Sequence, residues 1–157
     1  MYDILVIGGG AAGMMCAITA ARMGASVAVA EKNDRLGKKL AITGKGRCNV
    51  CNNSDNETIM KNIPRNARFL YSVLSQFTAA DIMAFFEELG VPLKTERGNR
   101  VFPVSDHSSD IIRTLQNALL KKNVKISLHT EVKNLLIEDG RVCGVELSDG
   151  KKIPADA

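Results

Sequence analysis

The sequence predicts an α/β domain organised around a parallel β-sheet. The first observation is an apolar, β-branched-rich run at residues 3–7, which is typical of a strand buried on both faces. The second is a helical run of small and apolar residues at 11–23, which ends before Gly24 and leads into another buried strand at 26–30. Strand, helix and strand in this order form a βαβ unit, whose crossover is right-handed. We therefore expect a Rossmann-like, three-layer arrangement around the sheet.

Composition limits the class of protein. The chain has 157 residues, of which 45% are hydrophobic and 24% charged, as in ordinary globular domains. We expect one domain, residues 1–157. The net charge of +4 and the aromatic content of 4% fall short of a nucleic-acid-binding signature, so no nucleic-acid partner is predicted. The four cysteines are predicted to be reduced, intracellular thiols.

An uncharged run at residues 4–21 has the length of an export signal or a membrane span. Asp3 precedes it, where a signal peptide has Lys or Arg, and several glycines interrupt it. We therefore expect a cytoplasmic protein without a membrane segment.

Beyond residue 30 the chain first loses its periodicity and then regains it. Residues 32–56 are rich in Gly, Asn, Lys and Arg, which is typical of a functional loop. Thr78 with Asp81 predicts a capped helix start. Helices are predicted at 66–76, from 78 to before 90, and at 109–122, with a short extended piece at 101–103.

The C-terminal third predicts strands. Residues 124–128 are the third parallel strand, which gives the sheet order 3-2-1. Two Asp-Gly turns join residues 132–137, 141–147 and 151–153 into an antiparallel meander.

Gly8, Gly10 and Gly13 form a G-x-G-x-x-G fingerprint between the first strand and the first helix. Gly8 permits the tight turn, Gly10 lets the backbone approach a pyrophosphate, and Gly13 lets helix and strand pack closely. The pyrophosphate then lies at the helix N-terminus, where N–H groups and the dipole favour negative charge. Glu31 ends the second strand, where its carboxylate can accept hydrogen bonds from the adenosine ribose. These features predict a dinucleotide site rather than a generic glycine turn.

Glu31 also bears on which dinucleotide is bound. Its charge disfavours the 2′-phosphate of NADP, whereas NAD and FAD share the adenosine ribose and the pyrophosphate. An NAD domain continues into a second βαβ unit within a few residues. Here the third strand is delayed to residue 124 and the meander follows it, which favours FAD.

A second motif is more specific. Gly-Lys-Gly-Arg-Cys-Asn-Val-Cys-Asn at residues 44–52 follows Leu-Gly-Lys-Lys at 36–39 and precedes Arg-Val-Phe-Pro-Val-Ser at 100–105. With these motifs the sequence resembles the bacterial flavoproteins related to aminoacetone oxidase and to a 3-dehydro-bile acid reductase. The resemblance runs from Asp3 to the end of the chain. It implies a flavin-dependent oxidoreductase that acts on a small-molecule substrate, and it leaves room for NAD(P)H as electron donor.

The resemblance also implies site residues. The adenosine diphosphate half of FAD would be held by Gly8, Gly10, Ala11, Ala12, Gly13, Glu31 and Lys32. The pyrophosphate, ribityl and isoalloxazine region would be lined by Lys39, Gly46, Arg47, Cys48 and Asn49, and the adenine would meet the backbone of Val132. Neither a catalytic residue nor a metal site is assigned. The lysines and arginines of this loop would neutralise an anion, or form a solvated basic surface.

Cys48 and Cys51 form a C-x-x-C pair with three interpretations: a redox dithiol, half of a zinc site, or two thiols in a loop over the cofactor. The last is favoured over zinc because no second ligand pair is present.

The resembling family continues with a further strand and a substrate domain, so we expect this chain to be the N-terminal part of a longer FAD-dependent oxidoreductase and to be inactive by itself. The outer edge of residues 4–7 is then expected to be open, which predicts aggregation and weak FAD retention. The alternative function is a nucleotide-binding module without turnover, or an NAD-binding Rossmann domain.

Overall fold

The computed structural model describes every residue of the chain, from Met1 to Ala157. The strands are β1 (Ile4–Ile7), β2 (Val27–Ala30), β3 (Cys51–Asn52), β4 (Leu93–Glu96), β5 (Arg100–Pro103), β6 (Lys125–Ser127), β7 (Val132–Glu138), β8 (Arg141–Leu147) and β9 (Lys152–Pro154). The helices are α1 (Ala11–Arg22), α2 (Asn56–Lys61), α3 (Tyr71–Gln76), α4 (Ala79–Glu88) and α5 (Ser108–Lys121), with 3₁₀ segments at Leu40–Gly46 and Ala67–Leu70.

The chain divides into two compact units. The first unit comprises Met1–Leu40 and Leu115–Ala157, and the second unit comprises Ala41–Thr114. Helix α5 begins in the second unit and carries the chain back to the first.

The parallel sheet of the first unit has the strand order β1-β2-β6. Ile4 of β1 is in register with Val27 of β2, and Ala28 of β2 with Lys125 of β6. The predicted order 3-2-1 is therefore confirmed. Strand β2 is buried throughout because it is central, whereas β1 ends at Ile7, which is 53% exposed. The expectation that the first strand is buried on both faces along its whole length was wrong at that residue.

Alternate residues of the sheet face two different layers. Leu5 and Ala28 belong to a buried cluster with Val145 and Leu147 of the meander. Val6 lies on the opposite face, where its Cγ1 would be 3.3 Å from a Cβ placed on Gly13 of α1. The helix, the parallel sheet and the meander β7-β8-β9 thus form the three predicted layers.

The outer edge of β1 is paired at its start, which corrects the expectation of a ladder uncovered along its whole length. Residues 155–157 run parallel to the start of the strand, with Tyr2 bridged to Ala155. The Leu5 N–H donates to the carbonyl oxygen of Ala157 at 2.8 Å, and the Ala157 N–H donates to that of Asp3 at 3.1 Å. Backbone groups that would otherwise attract another chain are therefore paired within the first unit.

The second unit contains an antiparallel sheet with the order β3-β5-β4 and three helices. The capping box at the start of α4 is confirmed, since Thr78 Oγ1 accepts from the Asp81 N–H at 3.2 Å and the Asp81 carboxylate accepts from the Thr78 N–H at 2.7 Å. The sequence predicted neither α2 nor the partners of β5. Helix α2 is six residues long and has no buried residue, so it lacks the long apolar stripe that sequence patterns detect, whereas α3 lies within the helix predicted at 66–76.

No single helix is long and apolar enough to cross a membrane, although the bent pair of segments at Ala67–Gln76 and Ala79–Glu88 meets that test when the two are taken together.

Candidate functional site: a dinucleotide cradle

The glycine turn after β1 has the geometry that the fingerprint requires. Gly8 adopts φ +98°, a conformation that L side chains rarely adopt, and its N–H donates to the carbonyl oxygen of Ala30 at 2.8 Å. A Cβ on Gly13 would overlap the Gly8 carbonyl oxygen. Gly13 therefore packs α1 directly on the turn, as predicted.

The N-terminus of α1 is open to an anionic ligand. Gly10 is the N-cap residue, so no side chain caps the helix, and the first turn contains no acidic residue. Gly10, Ala11 and Ala12 are exposed, and a Cβ on Gly10 would meet nothing within 4 Å. The first-turn N–H groups and the positive end of the helix dipole suit a diphosphate group. The residues present therefore fit a dinucleotide cofactor.

Glu31 lies directly after β2 and is only 7% exposed. Its Oε2 accepts from the Gly9 N–H at 2.6 Å, and its Oε1 accepts from the N–H and Nδ2 of Asn33 at 2.8 and 2.6 Å. Burial acts to raise the pKa of Glu31, but the hydrogen bonds from Asn33 and Gly9 outweigh it and hold the pKa below the ordinary value. The carboxylate is thus ionised and anchored beside the glycine turn.

Gly9 is a functional residue that the sequence reasoning missed. Its N–H is bound by Glu31, and its carbonyl oxygen accepts from the Gly37 N–H at 2.9 Å. A Cβ on Gly9 would overlap Cδ2 of Leu36, which is buried. The Leu36-Gly37 pair contacts Gly9 and belongs to the Leu-Gly-Lys-Lys motif. That motif was the feature of the sequence that could have indicated the role of Gly9.

A polar cavity of about 470 Å³ lies beside Asn33 in the first unit, a size within the range of ligand sites. It is lined by Lys32, Asn33, His129, Thr130, Glu131, Leu147, Ser148 and Asp149. The exposed ammonium of Lys32 is 4.0 Å from Glu131. Val132 does not line the cavity; it is half-buried and packs against the core cluster. Lys39 is exposed.

The other predicted site residues belong to the second unit, in the loop that carries the Gly-Arg-Cys-Asn motif. Gly44, Lys45 and Cys48 adopt φ values of +55°, +59° and +61°, and Gly46 adopts +85°. Left-handed conformations are unfavourable for Lys and Cys, so surrounding contacts must hold this loop.

Arg47 supplies the largest group of such contacts. Its guanidinium is ion-paired with Glu96 and, through Nε at 2.8 Å, with Asp106, and it lies 4.0 Å from the ring centroid of Phe102. Lys94 Nζ also contacts Asp106, at 2.6 Å. Hydrogen bonds from these cations lower the pKa values of Glu96 and Asp106. The positive charge of Arg47 is therefore already balanced by carboxylates of its own unit.

The two thiols of the motif differ in exposure. Cys48 is 1% exposed and its N–H donates to the Thr43 carbonyl oxygen at 3.0 Å, whereas Cys51 is half-buried in β3. Burial raises the pKa of both thiols. A catalytic dithiol needs a lowered pKa on its nucleophile, so the environment favours two structural thiols. Asn49 is exposed, and its side-chain amide lies 3.0 Å from the Cys51 carbonyl oxygen and 3.1 Å from that of Val101, with its nitrogen as the donor.

The fold and the cradle define the class of protein: a Rossmann-type dinucleotide-binding domain. Residues 2–157 match the family described as HI0933-like protein Rossmann domain, and the chain belongs to that family. The resemblance found in the motifs is thereby confirmed, together with the fold class and FAD as the cofactor.

Two curated relatives match most of this chain. A 3-dehydro-bile acid delta(4,6)-reductase from Clostridium scindens is 34% identical over 99% of this chain and 37% of its own length. A ribosomal RNA dihydrouridine synthase from Haemophilus influenzae is 29% identical over 83% of this chain and 32% of its own length. The chain thus spans about a third of the length of the curated relatives it matches.

Among solved structures, a 3-ketosteroid-delta4-(5alpha)-dehydrogenase from Rhodococcus jostii RHA1 aligns with a TM-score of 0.74 at 18% identity, covering 99% of this chain and 44% of that one. A match at this identity supports the fold and carries nothing about the substrate.

Proposed function

We propose that this chain is the FAD-binding part of an oxidoreductase, with the pyrophosphate of FAD at the N-terminus of α1 and its adenosine ribose on Glu31. The observation that carries the proposal is the uncapped, acid-free start of α1 beside a buried and anchored carboxylate. In this arrangement Gly10, Ala11, Ala12 and Gly13 bind phosphate through backbone N–H groups, and Gly8 shapes the turn. Bound FAD would supply the two-electron redox chemistry.

The names of the relatives suggest the type of reaction. One is a delta(4,6)-reductase and another a dihydrouridine synthase, and both names describe the addition of two hydrogens across a carbon–carbon double bond. We propose the same reaction class for this protein: two electrons and two protons are added to a double bond of a small molecule, and NAD(P)H is oxidised in turn. A small-molecule substrate is preferred to RNA because the reductase relative matches more of the chain and at higher identity.

The Gly-Arg-Cys-Asn motif of the second unit supplies further residues of the proposed site. Gly46, Arg47, Cys48 and Asn49 would line the ribityl and isoalloxazine region, with Lys39 of the first unit near the pyrophosphate. Val132 would meet the adenine through its backbone, and Lys32 would lie by the adenosine diphosphate. A cytoplasmic location fits reduced thiols, since the free cysteines form no disulfide.

Flavin retention separates this proposal from a nucleotide-binding module without turnover. We expect the purified protein to show the absorbance of oxidised FAD, or to acquire it on titration. Gly10→Leu is expected to abolish FAD binding without loss of stability, because the added side chain projects into open space where the pyrophosphate would lie. The matched control is Thr19→Leu, an exposed position on the same helix. Binding of NAD with no flavin uptake would contradict the proposal.

Turnover is tested on a flavin-loaded protein that spans the full length of the curated relatives, of which this chain covers about a third. We expect NAD(P)H to be consumed with an unsaturated 3-oxosteroid and not with uridine-containing ribosomal RNA. Consumption with RNA alone would assign the other reaction named among the relatives, and flavin binding with neither reaction would leave the binding module as the function.

A further inference from the structure

Asn33 has no part in the fingerprint, yet it contacts the Glu31 carboxylate through two separate groups. Its backbone N–H donates to Glu31 Oε1 at 2.8 Å and its side-chain Nδ2 donates to the same oxygen at 2.6 Å. Two donors on one oxygen, from one residue, restrict both the position and the rotation of the carboxylate.

Asn33 is itself held from two other directions. Its carbonyl oxygen accepts from the His129 N–H at 3.0 Å, in the segment after β6, and its Oδ1 accepts from Lys38 Nζ at 3.2 Å. The neighbouring Thr130 N–H donates to the carbonyl oxygen of Glu31 at 2.9 Å. The turn that carries Glu31 and Asn33 is therefore tied to the segment after β6 by two backbone hydrogen bonds.

The acceptor capacity of Glu31 can be counted. A carboxylate offers about four lone-pair sites, two on each oxygen. Asn33 occupies both sites on Oε1, and the Gly9 N–H at 2.6 Å occupies one on Oε2. One site on Oε2 is left for a ligand hydroxyl, and the bonds to Asn33 and Gly9 determine its direction.

We propose that Asn33 is a positioning residue for nucleotide recognition, which holds the Glu31 carboxylate so that the remaining site on Oε2 accepts from a ribose hydroxyl. This inference rests on the proposed function, because it takes the adenosine ribose of FAD as the ligand of Glu31.

A residue that only stabilised the turn would affect all nucleotides alike. A positioning residue changes how strongly the ribose hydroxyls contribute, and leaves phosphate binding at α1 in place. The ratio of affinities for ADP and for 2′,3′-dideoxy-ADP therefore separates the two roles, since the probes differ only in those hydroxyls.

The experiment uses calorimetric titration of the full 157-residue chain with both probes. The wild type is expected to bind ADP about tenfold more tightly than the dideoxy analogue, as for one hydrogen bond to a charged group. In Asn33→Ala we expect that ratio to fall to within about twofold, mainly through weaker ADP binding.

The matched control is Asn134→Ala in the same unit. Asn134 Nδ2 also donates to a glutamate, Glu146 Oε2, at 2.9 Å, but on the exposed surface of the meander. This variant should keep the wild-type ratio.

A second measurement keeps the inference testable if Asn33→Ala folds poorly. Asn33→Ser keeps the backbone N–H and a small polar side chain in the turn, and removes both the Nδ2 donor to Glu31 and the Oδ1 acceptor of Lys38. In the ligand-free protein, carbon-detected NMR of the Glu31 carboxyl group should show a pKa that rises toward the ordinary value, because a donor to the ionised form is lost. Lys32, the cation that acts directly on the carboxylate, is unchanged in the variant, whereas Lys38 loses its acceptor on Asn33.

The outcomes distinguish the inference from the function on which it rests. A wild-type chain that binds neither probe overturns the proposed function, and the inference with it. Wild-type binding with equal affinity for both probes overturns the inference and the placement of the ribose on Glu31, and leaves the pyrophosphate site at α1 standing. An unchanged ratio in both Asn33 variants, or equal losses for both probes, would likewise show that Asn33 does not position Glu31 for the ribose.

Discussion

The glycine turn of the first unit and the Gly-Arg-Cys-Asn loop of the second unit are both motif regions, but they use charge in opposite ways. At the turn, the N-terminus of α1 faces open space with no capping side chain, and the one buried charge, on Glu31, is bound by backbone N–H groups. In the loop, the positive charge of Arg47 is balanced by Glu96 and Asp106, and its guanidinium packs on the ring of Phe102. A basic residue in a binding motif therefore need not be the group that binds the anion.

Gly13→Ala is the change with the largest expected effect on the first region. The added Cβ would overlap the Gly8 carbonyl oxygen, and neither backbone can move without breaking the strand-to-helix turn. We expect a loss of about 2–3 kcal/mol in the free energy of unfolding, measured by urea denaturation. Gly10→Ala is the control, because its Cβ meets nothing and should leave stability nearly unchanged. Equal stability of the two variants would contradict the packing role of Gly13.

Glu31→Ala should have the next largest effect. It removes a ribose acceptor and also leaves the N–H groups of Gly9 and Asn33 without their acceptor. We expect FAD binding to weaken by ~1–3 kcal/mol, measured by flavin fluorescence titration. Glu31→Gln keeps the shape and one acceptor oxygen, so it should fall between the wild type and Glu31→Ala.

The same residue predicts a pH dependence of stability. The pKa of Glu31 is lower in the folded chain than in the unfolded chain. Its contribution to stability is therefore complete above the ordinary glutamate pKa of about 4.3 and is lost as the pH falls through the lowered folded value. Thermal unfolding from pH 7 to pH 3 should show a smaller acid-induced drop in Tm for Glu31→Gln than for the wild type. An identical drop in both proteins would contradict this assignment.

Glu96→Gln tests the second region by the sign of its effect. If Arg47 bound the pyrophosphate, removal of the competing carboxylate would strengthen FAD binding. Because Arg47 joins the loop to β4, we expect a lower Tm than the wild type, by less than for Gly13→Ala, and no gain in FAD affinity. Glu88→Gln, an exposed glutamate at the end of α4, is the control. A clear gain in FAD affinity would instead show that Arg47 binds the pyrophosphate.

Thiol reactivity should give the smallest effect. Burial raises the pKa of Cys48 and Cys51, so little reactive thiolate is present at neutral pH, whereas Cys16 is exposed on α1. We expect iodoacetamide to modify Cys16 first and Cys48 last, as followed by peptide mass spectrometry. Alkylation of Cys48 as fast as that of Cys16 would instead support the interpretation of Cys48 and Cys51 as a redox dithiol.

Local patterns in the sequence were enough to predict much of the secondary structure and the position of the glycine fingerprint. The βαβ unit, the meander with its two Asp-Gly turns, the capping box of α4 and the glycine fingerprint each depend on residues that are close in the chain. Their physical causes are side-chain periodicity, backbone freedom at glycine and hydrogen bonds to neighbouring residues. The motif around Arg47 added the family, which composition and periodicity could not supply.

Only the tertiary structure decided which partners the functional residues have. Gly9 is bound from one side by Glu31 and from the other by Gly37, and Arg47 meets Glu96 and Asp106 far along the chain. Residues 155–157 cover the start of β1, although nearly the whole sequence separates the two segments. No local pattern encodes these contacts, because they form only when segments distant in sequence pack together. They decide which groups remain available to bind a ligand. The N–H groups at the N-terminus of α1 and one lone pair of the Glu31 carboxylate remain available, whereas the charge of Arg47 is already balanced.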